Sequence, residues 1–83
     1  MYYAVQTLTG YSIDTKKITF KFEYVDAFKN KKARDLFVAN YDKKDEAATN
    51  EAGDILEIHK WDIHPARYRE AMKIIKENSF MYG

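Results

Sequence analysis

The sequence ITFKFEYV at residues 18–25 alternates apolar and polar side chains without a break. In an extended chain, one side would carry Ile18, Phe20, Phe22 and Tyr24. Such alternation is typical of a half-buried strand, and aromatic and β-branched residues favour a pleated surface. We therefore expect a strand with an aromatic face that helices cover, because three rings on one face provide a large apolar area.

A second apolar-rich segment, YYAVQTL at residues 2–8, precedes this strand. The residues between the two, 9–17, include Gly, Ser, Asp and Thr, which are typical of turns. This arrangement predicts an antiparallel hairpin. Alternatively, Tyr11 and Ile13 extend the first strand and leave residues 14–17 as the turn.

Two segments have the spacing of amphipathic helices. The first is about Lys31–Tyr41, where apolar residues recur every three or four positions and Asn30 is a suitable N-cap. The second begins at Pro65, because proline is well suited to the first helical position, and stops near Asn78. The tail that follows, at residues 79–83, is predicted either to dock on the sheet or to offer an apolar patch.

The segment between the helices is harder to interpret. Residues 42–53 are polar and alanine-rich, which indicates a loop or a poorly packed helical turn. Residues 55–63 fit a strand or a helix, and their β-branched and aromatic content favours a third strand. The predicted fold is a single α+β domain, residues 1–83, with element order ββαβα. Its mainly antiparallel sheet has three strands, with two helices on one face.

Composition limits the functional classes. The chain has no cysteine, which excludes disulfides and thiolate metal sites, and no apolar run of the ~20 residues that a membrane span needs. These features predict a soluble, cytoplasmic protein without a membrane partner. Net charge is +1, with an excess of five positive charges in residues 16–34 and of four negative charges in residues 42–57. A nucleic-acid partner is unlikely on these values, because such proteins usually carry a larger basic excess.

No constellation of residues indicates catalysis. His59 and His64 are the only histidines, there is no Gly-x-Ser-x-Gly turn, and the three glycines are isolated. The two histidines, with Asp62 between them, could form part of a metal site, but packing or surface roles are commoner for such residues. We therefore predict no catalytic residues, no metal, no cofactor and no enzymatic activity.

Aromatic and guanidinium groups are the best candidates for contact with a partner, since both are enriched at protein interfaces. They concentrate at the start of the last helix, and further tyrosines lie near the N-terminus. The predicted partner-binding residues are Tyr2, Tyr11, Trp61, His64, Arg67 and Arg69. The alternative is that Trp61 belongs to the core, the arginines are merely solvated, and the tyrosines lie in the core or in an edge strand.

The sequence FKNKKARDLFV at residues 28–38, after the start MYYAV, resembles a segment common in short bacteriophage-encoded proteins. In these proteins a hairpin is followed by Phe, a polar cap, lysines, Arg-Asp, one variable residue and an aromatic-Val pair. The resemblance covers at most the first half of the chain. It implies a protein that acts on a host protein, for example as an inhibitor of CRISPR or another defence system.

The preferred hypothesis is therefore a phage-encoded, non-enzymatic binding protein in the host cytoplasm that blocks a host protein by occupying its surface. One alternative is an oligomer that sequesters a small ligand or nucleotide in a pocket between chains, because a single small core leaves little room for a cavity. The other is a weak nucleic-acid binder that uses the basic residues of the segment 16–34.

Overall fold

A computed structural model of the protein describes residues 1–78 as an open four-stranded antiparallel sheet with two helices. The elements in chain order are β1 (Tyr2–Ser12), β2 (Ile18–Phe28), α1 (Lys31–Ala39), β3 (Lys44–Thr49), β4 (Ile55–Ala66) and α2 (Tyr68–Glu77). The strands lie in the order β2-β1-β4-β3. The predicted α+β class is confirmed, but the predicted number of strands is wrong.

The predicted hairpin of β1 and β2 forms, and its first strand extends past Tyr11 but ends at Ser12, so Ile13 lies in the turn and not in the strand. Tyr11 belongs to β1, and the turn is closed by two backbone hydrogen bonds, from Lys16 N–H to the Ser12 carbonyl (2.9 Å) and from Ser12 N–H to the Lys17 carbonyl (3.0 Å). Lys16 has a positive φ of 57°, which the tight turn requires. Because both strands have 11 residues, the hairpin is long enough to form the main axis of the molecule.

The additional strand, β3, comes from the segment that was predicted to be a loop or a poorly packed helical turn. Its sequence KDEAAT has little intrinsic preference for strand. The strand forms because all six of its residues pair with β4 in an antiparallel ladder, in which Asp45 lies opposite Lys60. A turn then leads into β4, where the Asn50 side chain accepts a hydrogen bond from Asp54 N–H (3.0 Å) and Gly53 takes a φ of 87°.

The helices lie on opposite faces of the sheet, not on one face as predicted. On α2, Ala71 and Ile74 join Val5 and Val25 in the buried core. On α1, the Phe37 ring lies 5.2 Å from the ring of Phe28. Phe28 and Val25 are three residues apart in β2, so their side chains point to opposite faces. Both faces were available because the sheet has apolar residues on each of them.

The helices cover only one end of the sheet. There, the neighbouring residues Ala4 and Val5 point to opposite faces and are both fully buried. The resulting molecule is elongated, with extents of 47 × 27 × 20 Å. Its radius of gyration of 15.1 Å exceeds the value of about 12 Å for a compact chain of this length. At the other end of the sheet, neither helix of the described residues 1–78 covers a face.

The predicted helix start at Pro65 is wrong, because β4 continues through this residue to Ala66. Pro65 pairs with Ala4 of β1 on one side, while β3 begins at Lys44, opposite Trp61, and so leaves the other side of β4 open at Pro65. Proline is tolerated at such an open edge because its missing N–H removes no ladder hydrogen bond there. The predicted end of the helix is confirmed, since Asn78 is the C-cap of α2.

No helix among residues 1–78 is long and apolar enough to cross a membrane. The predicted role of the tail concerns residues 79–83, which lie outside the described residues.

Candidate binding surface on the aromatic face

Aromatic side chains from β2 and β4 meet on one face of the sheet, across β1. Leu8 of β1 is flanked by Phe22 and Trp61, and Gly10 is flanked by Phe20 and His59. Directly paired residues point to the same side of an antiparallel sheet. We call the side that carries Phe20, Phe22, His59 and Trp61 the aromatic face, and the side that carries Val5 and Val25 the opposite face.

Gly10 allows the rings on the aromatic face to form a continuous row. A Cβ atom at this position would lie 2.3 Å from the ring of Phe20, so the ring occupies the space above the glycine. From there Phe20 contacts His59 edge-on, with ring centroids 5.0 Å apart, and Phe22 at 5.6 Å. His59 in turn lies 6.3 Å from Trp61. The four rings thus cross three strands as one connected surface.

This surface is open to solvent. The side chain of Phe22 is 53% exposed and that of Tyr24 is 44% exposed. The helices were predicted to cover the aromatic residues of β2, but α1 reaches only the end of the face where Phe28 lies. A contiguous apolar patch on a sheet is typical of an interaction site, because exposure of several neighbouring rings to water is unfavourable.

His59 has an unusual environment within this row. Its Nε2 atom is buried and has no hydrogen-bond partner among the described residues, and the nearest carboxylate oxygen, on Glu57, is 4.0 Å away. The Glu57 side chain instead accepts a hydrogen bond from the Thr19 hydroxyl. An unsatisfied buried nitrogen lowers stability, so His59 contributes to the row through its ring contacts and not through a hydrogen bond.

The row ends at a cavity of about 150 Å³ between the sheet and Tyr41, which follows α1. Its lining residues are Gln6, Thr7, Leu8, Phe22, Glu23, Tyr24, Tyr41 and Trp61. Burial raises the pKa of the Tyr41 phenol, and the negative charges of Asp26, Asp62 and Asp42 raise it further. The Gln6 amide donates a hydrogen bond to Asp26 at 2.5 Å. The cavity is therefore aromatic within and negatively charged at its rim.

The predicted partner-binding residues do not form one group. Trp61 lies in the middle of the aromatic face, half-buried. Tyr2 lies on the same face at the end that α1 covers, with the Arg34 guanidinium 5.8 Å from its ring centre. Tyr11 lies on the opposite face, where the Lys60 ammonium is 5.6 Å from its ring centre.

The cluster predicted around Trp61 is split by the alternation of β4. His64 is three residues from Trp61 and so points to the opposite face, where its Nε2 atom lies 3.0 Å from the Glu70 carboxylate of α2. Arg67 is the N-cap residue of α2, and Arg69 lies in its first turn; both are exposed. The structure therefore brings His64 close to α2 and separates Trp61 from these residues.

Sequence reasoning missed Phe20, Phe22 and Tyr41 as surface candidates. The alternation of residues 18–25 already placed the two phenylalanines on one face, but that face was assumed to be covered. Nothing in the local sequence could show that α1 would leave it open. The spacing of apolar residues predicts a helix that ends at Tyr41, whereas α1 ends at Ala39 and Tyr41 lies beyond it.

The basic segment 16–34 does not form one surface either. Lys16 and Lys17 lie at the tip of the hairpin, whereas Lys31 and Lys32 open α1. The whole of β2 separates these two groups, a length of about 33 Å for its 11 residues. Among the described residues, no group of three or more His, Asp or Glu side chains is arranged to hold a metal ion.

No protein-family model, curated protein or solved structure matches this chain. The function of the surface must therefore be inferred from its own geometry.

Proposed function

We propose that this chain is a non-enzymatic binding protein that acts by occupying the surface of a partner protein with its aromatic face. The observation that carries the proposal is the row of rings from Phe22 to Trp61, on the part of the aromatic face that α1 leaves open. Aromatic residues dominate the binding energy of many protein interfaces, because they bury a large area with few rotatable bonds.

The backbone beneath the row supports this role. Each ring except that of Phe22 is partly buried against its neighbours, and all four are mounted on paired strands. A partner would therefore meet a surface that is already ordered, which lowers the entropic cost of binding. Phe22 is the most exposed of the four and is the natural first point of contact.

A protein partner is favoured over a nucleic acid by the charges near the rings. Glu46 pairs with His59 across the strands β3 and β4, and Glu57 lies two residues before His59 on the same face. These carboxylates would repel phosphates, and the basic residues of segment 16–34 are divided between the two ends of the hairpin. Nucleic-acid surfaces of the stacking type combine rings with a continuous positive groove instead.

The nature of the partner follows from the resemblance of residues 28–38 to phage proteins. We infer a host protein, with a defence protein such as a CRISPR component as the first candidate. Inhibition would then result from blocking a surface on that protein, without any reaction.

The test is affinity capture from a bacterial lysate with three forms of the protein: the wild type, Phe22→Ser and Tyr68→Ser. Tyr68 is the matched control, since it is an exposed ring (64%) on α2, away from the aromatic face. We expect a stoichiometric protein with the wild type and with Tyr68→Ser, and at least a tenfold loss of affinity with Phe22→Ser, the size of effect seen at interface hot spots of about 1.4 kcal/mol or more.

The captured protein must then be purified and the complex reconstituted. Calorimetry then measures the stoichiometry and the dissociation constant of each of the three forms with the purified partner. A defined stoichiometry distinguishes a specific interface from non-specific adhesion to hydrophobic surfaces. Equal binding by Phe22→Ser and the wild type would exclude the aromatic face as the contact surface.

A second candidate function rests on a different cavity. At the uncovered end of the sheet, a groove of about 420 Å³ on the side of Tyr11 is lined by two lysines and by apolar side chains; the lining residues are Tyr11, Ser12, Ile13, Lys16, Ile58 and Lys60. This volume is within the range of small-molecule sites. A pocket of this kind lies within one chain, whereas sequestration was expected to need an interface between chains.

Two ammonium groups beside an aromatic ring would suit a phosphorylated aromatic ligand such as a nucleotide. Calorimetric titration with ATP and with adenosine tests this function. Binding of ATP alone, reduced by Lys60→Ala, supports it, and no heat from either ligand would exclude it.

A further inference from the structure

The cavity beside Tyr41 has the composition of a site for a positively charged group. Its walls include Trp61, Tyr41 and Phe22, whose ring faces carry partial negative charge. With a volume of about 150 Å³, it is too small for a drug-sized ligand but sufficient for the end of one side chain.

The lining already binds a cation within the molecule. The Lys44 ammonium lies 5.2 Å from the centre of the Trp61 ring, within the distance of a favourable cation–π contact. Lys44 is paired with Trp61 across β3 and β4, so this contact follows directly from the register of the sheet. The indole ring is thus positioned so that an ammonium group can approach its face.

Carboxylates surround the cavity. Asp26, Asp42 and Asp62 act on the Tyr41 phenol, and Glu23 is among the lining residues. The ammonium groups nearby are those of Lys43, which is 3.1 Å from the Asp62 carboxylate, and Lys44. The Glu23 side chain points to the opposite face, as does that of its partner Thr7, so its carboxylate is not counted. Among the described residues, the three aspartates that act on Tyr41 outnumber the two nearby ammonium groups, and the potential at the cavity favours a cation.

We propose that this cavity receives a lysine side chain of the partner protein, with the ammonium held against Trp61 and Tyr41 and the Asp26 carboxylate nearby. The inference rests on the proposed function, since it names the group on the partner that anchors at the end of the aromatic row. It predicts that the partner presents an exposed lysine within an apolar surface, and it makes the cavity the part of the interface that determines specificity.

The isolated side chain provides a direct test. Trp61 is the only tryptophan in the chain, so indole fluorescence and its NMR resonance report on this cavity. The probe is Nα-acetyl-lysine N-methylamide, and its matched neutral control is Nα-acetyl-norleucine N-methylamide, which has a similar stem without the charge. We expect the lysine probe to shift the Trp61 signals with a dissociation constant of about 10 mM, and the norleucine probe to bind at least about fivefold more weakly.

Variants assign the effect to this cavity. Asp26→Asn preserves the shape of the side chain and its contact with Gln6 but removes the charge, and should weaken lysine binding by about fivefold. Asp14→Asn changes the net charge equally in the exposed hairpin turn and should leave lysine binding unchanged. Circular dichroism verifies that both variants are folded.

The possible outcomes separate the two proposals. Equal responses to lysine and norleucine, or no response to lysine up to about 100 mM, would overturn the cation site, whatever the capture experiment shows. An equal loss in Asp26→Asn and Asp14→Asn would overturn it as well, since the effect would then come from net charge. Selective lysine binding without any protein captured through Phe22 would support the site and exclude the proposed function.

Discussion

At the scale of single residues, the contact surface depends on Gly10, which has no side chain. Gly10 leaves a gap in the middle of β1, and the Phe20 ring fills it from the neighbouring strand. Aromatic rings placed across a glycine are a known means of restoring packing in a sheet. Here the same placement brings Phe20 to His59, and so joins the rings of β2 to those of β4.

Replacement of Gly10 by Ala should therefore disturb the row. The new Cβ atom would collide with the Phe20 ring, which must rotate away from His59. We expect a loss of about 1 kcal/mol in the free energy of unfolding, the lower end of the range for overpacking because Phe20 is only half-buried. Urea denaturation of the purified variant measures this loss.

A double-mutant cycle provides the control for this prediction. In a Phe20→Ala background the obstacle is absent, and Gly10→Ala should then be neutral or slightly stabilising, because alanine restricts the unfolded chain. An undiminished loss in that background would mean that the cost arises from the backbone of β1 rather than from the ring.

At the scale of elements, α1 depends on local interactions. None of its residues is fully buried, and its first turn contains no acidic residue but two lysines, which the helix dipole disfavours. Against this, the Asn30 side chain accepts a hydrogen bond from Ala33 N–H at 2.8 Å, which confirms it as the predicted N-cap. Asp35 pairs with Lys31 at 2.9 Å and with Arg34 at 2.7 Å, and these cations lower the pKa of its carboxyl.

Asn30→Ala should destabilise α1 by about 1 kcal/mol, because the amide of Ala33 would lose its acceptor. The expected result is a lower midpoint of urea denaturation, accompanied by reduced helical circular dichroism. Asn30→Asp retains an acceptor at the cap and adds a favourable charge to the N-terminus, so its midpoint should equal or exceed that of the wild type. A midpoint for Asn30→Ala equal to that of the wild type would show that packing alone maintains this helix.

The same elements show how far the sequence can be interpreted. The hairpin, the existence of both helices and the cap at Asn30 depend on local patterns, and these predictions agree with the structure. β3 could not be predicted, because residues 44–49 form a strand only through their pairing with β4. The placement of the helices on opposite faces could not be predicted from the sequence either, because it depends on the path of the chain across the sheet.

The aromatic face illustrates this limit for the candidate site. Its rings could be placed on one side of β2 from their spacing, and Trp61 could be selected as a contact residue. Their assembly across β1 depends on the register of three strands, which no single segment encodes. The cavity depends in addition on the path of Tyr41 after α1.

At the scale of the whole molecule, the sheet is covered at one end only. Val5, Val25 and Ile63 are buried near the helices, whereas Ile18, Ile55 and Phe22 are largely exposed farther along the same strands. Burial of apolar area is the main source of stability, so the two ends should differ in their local free energy of opening.

Native-state hydrogen exchange should reveal this gradient. We expect the amides of Val5 and Ile63 to exchange only with global unfolding, and those of Gly10 and Ile58 to exchange faster, through local opening of the uncovered end. NMR at several low denaturant concentrations distinguishes the two routes. Equal protection along β1 would indicate that the strands open as one unit despite the uneven cover.

The sheet order has a consequence for how the chain becomes folded. β1 lies between β2 and β4, and Tyr3 of β1 pairs with Ala66 of β4. The hydrogen bonds of β1 are therefore complete only after β4 has been synthesised. Contacts between distant parts of a sequence slow folding, because a long loop must close before they form. During synthesis, only the hairpin of β1 and β2 can assemble while the rest of the chain is still inside the ribosome. The nascent protein thus carries a strand that is unpaired on one side, which chaperones would recognise, until β4 has been synthesised and has left the ribosome.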